Sequence, residues 1–87
     1  MPHVYIPVEL RPLTRGLEVV EVPGSSVREV IDSLEASYPG VKGRLCVENR
    51  LAPGLSIVVD GSISSLGLLQ PVNAEQEVHF LPSIGGG

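Results

Sequence analysis

Three groups of residues in this sequence could do chemistry, each of a different kind. The first is the closing stretch PSIGGG, with Gly85, Gly86 and Gly87 in a row. If glycine fills about 7% of positions, such a run at a fixed terminus arises by chance about once in a few thousand chains. Glycine has no side chain, so a run of it after a strand is a thin backbone that can enter a channel too narrow for any Cβ. The five residues Ser83 to Gly87 span at most about 17 Å at about 3.4 Å each. That reach can deliver a carboxylate into another protein while the body of the chain docks outside. A carboxylate is unreactive toward nucleophiles, so chemistry at Gly87 requires activation by a partner.

The second group is His3, His79 and Cys46, candidates for a metal. Strand alternation turns both histidines away from the core. A zinc site needs four ligands, or three and a water, at closer spacing than this sequence offers. They are expected to be ordinary surface histidines, with no metal. The third group is the nucleophiles. Around Cys46, Glu48 opposes ionisation and Arg44 is a solitary cation, so a structural cysteine is expected. Asp32, Asp60 and the serines stand in no nucleophile motif. Gly24 belongs to no GxGxxG or GKS pattern and builds no phosphate loop. No catalytic residue is expected in the chain itself.

The body that must position the tail is small. With 87 residues and 43% hydrophobic content, there is room for one domain with one modest core. Aromatics are limited to Tyr5, Tyr38 and Phe80, so that core is aliphatic. Ten acidic against six basic residues give a net charge of −4, which speaks against nucleic acid and for partners with basic faces. Cys46 has no partner for an internal disulfide. No stretch reaches the roughly 18 apolar residues of a membrane span, and the N-terminus lacks the pattern of a secretory signal. A cytoplasmic protein is expected.

From His3 to Leu10, the apolar residues Val4, Ile6, Val8 and Leu10 alternate with Tyr5, Pro7 and Glu9, the period of a half-buried strand. RPLTRG reads as a turn, and LEVVEV as a second strand pairing antiparallel with the first. Ser26 stands three residues before Glu29, the spacing of a reciprocal helix cap. Val27, Val30, Ile31, Leu34 and Tyr38 then share one helical face, and Pro39 and Gly40 end the helix. Val41 and Leu45 fit one short helical turn, and no regular element is assigned from there to Gly54. SIVVDG is a strand ending in an Asp-Gly turn, and VHFLP is the last strand. A short strand is possible between them, in a connection that Leu66, Leu68 and Leu69 are expected to anchor. This order predicts an α+β fold, a mixed sheet with one main helix across one face. The expected organisation is a domain over 1–82 and a flexible glycine tail over 83–87.

The opening strand with LRPLTRG, the helix SSVREVIDSLEASYPG, the stretch RLCVENRLAPGLSIVVDG and the closing VHFLPSIGGG together resemble the MoaD/ThiS family of sulfur carriers. The resemblance runs along the whole chain. It implies a ubiquitin-like β-grasp fold and a protein co-substrate that binds no cofactor. It further implies that a ubiquitin-activating-type adenylyltransferase uses ATP to adenylate Gly87 and a sulfur donor to convert it to a thiocarboxylate. A sulfur-accepting synthase would then take the sulfide. Gly86 completes the pair, and Gly85 stands where many members carry Ala or Ser. LRPLTRG and the long link before SIVVDG look most like the carriers of cysteine biosynthesis, whose acceptor is a cysteine synthase-like enzyme. Molybdopterin-synthase small subunits, which serve a large subunit, come next.

Parity assigns Val4, Ile6, Val8, Ile57, Val59, Val78 and Phe80 to the helix side of the sheet and Tyr5, Val58 and Leu81 to the open face. Exposed apolar residues near a reactive tail suggest a partner surface. Two other functions use the same features. A ubiquitin-like modifier would join Gly87 to lysines of target proteins, and a β-grasp interaction subunit would carry the glycines incidentally.

Overall fold

The computed structural model describes residues 1–82. The tail over 83–87, with Gly85, Gly86 and Gly87, lies outside them. Strands β1 (His3–Tyr5), β2 (Val19–Glu21), β5 (Leu55–Val59), β6 (Ser62–Ile63) and β7 (Glu77–Pro82) form one sheet in the order β2-β1-β7-β5-β6. β7 runs parallel to β1, and every other pairing is antiparallel. Helix α1 (Val27–Ser37) covers one face, followed by a single turn, α2 (Val41–Leu45).

The first strand stops sooner than its alternation suggests. The amide of Ile6 still donates to the Glu18 carbonyl at 2.8 Å, but Pro7 brings no N–H and the chain coils into a 3-10 helix over Val8–Thr14. The even-numbered apolar residues then part company. Ile6 and Leu10 are buried, whereas Val8, expected on the helix side, is 65% exposed. Two contacts tie this coil down: Arg11 Nε donates to the Ile6 carbonyl at 3.1 Å, and the buried Thr14 hydroxyl to that of Leu17 at 3.0 Å.

The helix begins where expected, with one change of partner. Ser26 Oγ accepts from the Glu29 amide at 3.2 Å, while the Glu29 carboxylate accepts from the amide and hydroxyl of Ser25, not from Ser26. Val27, Val30, Ile31 and Leu34 are all buried, at 1% exposure or less, against Val4, Ile57, Val78 and Phe80 of the sheet's inner face. Tyr38 packs at the margin of this cluster. The Glu35 carboxylate accepts from the amides of Gly40 and Lys42, fixing the turn that starts α2.

After α2 the chain makes a hairpin that the sequence did not lead us to expect, β3 (Cys46–Val47) with β4 (Arg50–Leu51). Its turn residues Glu48 and Asn49 both have positive φ, at 52° and 62°, the mirror-image turn that suits strand twist. In the connection to β7 only Leu68 of the three expected anchors is buried; Leu66 is 53% and Leu69 73% exposed.

Candidate partner-docking face

With α1 on one side, the opposite face of the sheet is open, and the register decides what it presents. Residues paired across a ladder share a face. Tyr5 pairs with Val19 on one side and with His79 on the other, His79 pairs with Val58, and Val58 with Ile63. One row, Val19-Tyr5-His79-Val58-Ile63, therefore crosses all five strands. Leu81, two residues beyond His79 on β7 and paired with Ser56, adds to the same face toward the chain's exit. Tyr5 and Val58 are half-buried and Leu81 is exposed. The structure thus brings Tyr5, Val58 and Leu81 together on one surface.

Sequence reasoning left out the row's centre and ends. His79 was weighed only as a metal ligand, yet its ring stacks on Tyr5 with centroids 4.1 Å apart and planes 9° from parallel. Val19 and Ile63 are on the row because of strand register, which no local pattern reveals. The far end of the face is charged. His3 pairs with Glu21 and Glu77, and its Nε2 lies 4.0 Å from Glu21 Oε1. The face thus grades from ionisable at the start of β7 to apolar at its end.

A groove of about 300 Å³ opens beside that apolar end, walled by Tyr5, Pro7, Arg11, His79, Leu81 and Pro82. Its position follows from the early end of β1: the 3-10 coil turns away at Pro7 while β7 continues to Pro82. Arg11 is held in place, its Nη1 3.8 Å from Glu18 Oε1. Pro82, the last described residue, lines this groove.

The other chemical candidates do not assemble. Among the described residues, no three His, Cys, Asp or Glu side chains gather as a metal cluster. His3 and His79 occupy different rows, each beside its own glutamate, with His79 Nε2 3.6 Å from Glu77 Oε1. Cys46 is half-buried at the end of α2. Burial pushes its thiol up, against the charges of Lys42 and Arg28, with Asp32 adding to the rise. The cations that matter are thus Lys42 and Arg28, not Arg44. Among the described residues no helix is long and apolar enough to cross a membrane.

A five-stranded mixed sheet with parallel first and last strands, one covering helix and an open face is a ubiquitin-like β-grasp. Across residues 4–87 the sequence matches the ThiS family, and the chain belongs to that family. It is 35% identical to the sulfur carrier protein CysO of Mycobacterium tuberculosis over 91 aligned positions, covering 97% of this chain and 96% of the relative. The structure superposes on that of the Amycolatopsis orientalis BexX/CysO complex with a TM-score of 0.90 and 34% identity, covering all of both chains. Against Mycobacterium tuberculosis CysO the TM-score is 0.87 at 31% identity, covering 97% of this chain and all of the other.

Proposed function

We propose that this chain is a sulfur carrier, a protein co-substrate whose reacting group is the carboxyl of Gly87. The observation that carries the reading is the placement of β7. It is hydrogen-bonded on both sides, by β1 and β5, and ends at Pro82 beside the groove on the open face. Gly87 is the fifth residue beyond that anchored point. A partner gripping the open face would hold the root of the tail, and the carboxyl could enter a site up to about 17 Å away. Full-length kinship with relatives named sulfur carriers supports the same reading.

The chemistry has two stages. The Gly87 carboxylate attacks the α-phosphorus of ATP in an adenylyltransferase of the ubiquitin-activating type, releasing pyrophosphate and leaving an acyl adenylate. A sulfide-equivalent donor then attacks the acyl carbon and expels AMP, giving the thiocarboxylate. In the second stage that sulfur attacks an electrophilic carbon of an acceptor, the acceptor's leaving group departs with the electron pair of its broken bond, and a thioester joins acceptor and carrier. Water cleaves the remaining bond from sulfur to the Gly87 acyl carbon and restores the carboxylate. The carrier contributes docking and reach, and its partners contribute catalysis.

Cysteine biosynthesis is the pathway we favour, with a cysteine synthase-like acceptor, since the relatives above 30% identity bear the name CysO. That the Amycolatopsis orientalis CysO structure is of a complex with BexX supports a β-grasp chain of this shape being held by a second protein. We place the protein in the cytoplasm, where ATP is available. Deleting Gly86 and Gly87 tests the reading. Sulfur transfer should be lost while the fold and partner binding through the open face persist; transfer by the truncated chain would leave only an interaction subunit.

A further inference from the structure

A second surface lies on the helix layer, and sulfur transfer gives it no role. The start of α1 is tied to the opposite end of the sheet. The Val27 amide donates to the Gln70 carbonyl, the Val72 amide to that of Ser25 and the Val22 amide to that of Pro2. Pro2 precedes His3, which pairs with Glu77 at the beginning of β7, whereas the chain leaves the sheet from the other end of that strand. In the layer of α1, the first helical turn, the β3–β4 hairpin and the 3-10 turn over Gly67–Leu69 surround a groove of about 370 Å³.

The groove is apolar within and cationic at its rim. Leu51 and Leu68 reach the core cluster, while Leu66 and Leu69 stand 53% and 73% exposed above them. Arg28 and Arg50 form the rim. Arg28 donates to the Asn49 carbonyl at 3.4 Å, and among the described residues neither arginine forms an ion pair. Of the carboxylates beside Arg28 on α1, Asp32 binds Lys42 Nζ at 2.6 Å and Glu29 accepts from Ser25, while Glu48 in the hairpin turn is exposed and, among the described residues, in no ion pair. On a chain of net charge −4, two uncompensated guanidinium groups beside exposed leucines are an uncommon local reversal of sign. Their planar donor forks suit carboxylates, and the leucines between them suit a bulky apolar side chain.

We propose that this groove docks a short acidic and apolar peptide segment of a protein partner, leucine-like side chains on Leu51, Leu66 and Leu69 with flanking carboxylates on Arg28 and Arg50. Because it lies on the helix layer and beside the start of α1, which is tied to the end of the sheet away from Pro82, such a partner binds without occupying the open face. The site therefore allows a ternary assembly in which one protein holds the groove while another works at Gly87. It does not depend on sulfur being the cargo.

The test uses the full chain labelled with 15N and a capped peptide alternating glutamate and leucine, with a lysine-leucine peptide of the same length as control. The expected result is amide shift changes confined to Arg28, Asn49–Leu51 and Leu66–Leu69. Affinity should fall as salt rises and drop roughly tenfold or more in Arg50→Glu or in Leu69→Ser. Both positions are exposed, and unchanged spectra elsewhere establish that each variant is folded. Equal binding of the lysine peptide, shifts mapping to Tyr5 and Leu81, or no shifts at millimolar peptide would each overturn the proposal.

Discussion

Tyr5 and His79 are cross-strand partners on the parallel strands β1 and β7, and their rings lie face to face at 4.1 Å. The stack fastens the tail-bearing strand to its neighbour on the open face, and it forms the centre of the row that runs across all five strands. Removing the imidazole leaves a gap in that surface without touching the core. His79→Ala is expected to weaken binding to the proposed activating enzyme by about 1 kcal/mol or more, as truncating a contributing interface residue does, with an unchanged far-UV spectrum. Calorimetric titration checks it, and wild-type affinity in the variant would take the row out of the interface.

Leu81 stands on the same face, nearer the exit of the chain and 46% exposed. A charge there would have to be desolvated on docking but costs the free protein little. Leu81→Asp should reduce partner affinity tenfold or more, about 1.4 kcal/mol, while shifting unfolding free energy within about 0.5 kcal/mol. Parallel binding and urea-unfolding measurements separate the two effects. Equal losses in both would make Leu81 a stability residue.

Gly24 sits between β2 and α1 with φ of 155°, and a Cβ there would lie 2.7 Å from the Val30 amide nitrogen and 2.9 Å from its Cγ2. The nearest obstacle is backbone in the first turns of α1, which cannot swing aside. Gly24→Ala should destabilise the fold by about 1–3 kcal/mol, as overpacking does. A thermal midpoint equal to wild type would mean that the connection yields more readily than its geometry allows.

The cap at Ser26, the apolar face of α1 and the turn at Asp60 and Gly61 are decided within a few residues, so spacing alone revealed them. Tyr5, Val58 and Leu81 were placed on one face because strand parity is also local. The row that joins Tyr5 to His79, Val19 and Ile63 is a matter of register between strands up to about seventy residues apart, and no local period encodes it. Val8 misled because an alternating pattern continued past Pro7 by coincidence. The β3–β4 hairpin was missed because two-residue strands are too short for a period and its turn is Glu48-Asn49 in place of a glycine pair. The reading of Gly87 rested on composition and on resemblance to the family, and lies outside the described residues.

Glu29 gives the fold a dependence on acid. Hydrogen bonds from the Ser25 backbone amide, then from its hydroxyl, hold the carboxyl below its ordinary value. A group depressed on folding contributes stability that is present above its unfolded value and lost as pH falls through the folded one. Acidification below the usual carboxylate range should therefore remove this contribution. Glu29→Gln should lose less stability than wild type between neutral pH and pH about 3, as read by urea unfolding at each pH. Parallel curves for the two proteins would show that the Ser25 contacts do not favour the ionised form.

The central claim concerns Gly87, and intact-mass spectrometry reads it directly. The full chain is incubated with its cognate activating enzyme, ATP and a sulfide source, beside a chain lacking Gly87. The account predicts that the full chain gains the mass of one sulfur-for-oxygen exchange, dependent on ATP, and that the shortened chain gains nothing. An unchanged mass with every cognate activating enzyme, or amide adducts to lysines in place of the exchange, would contradict it.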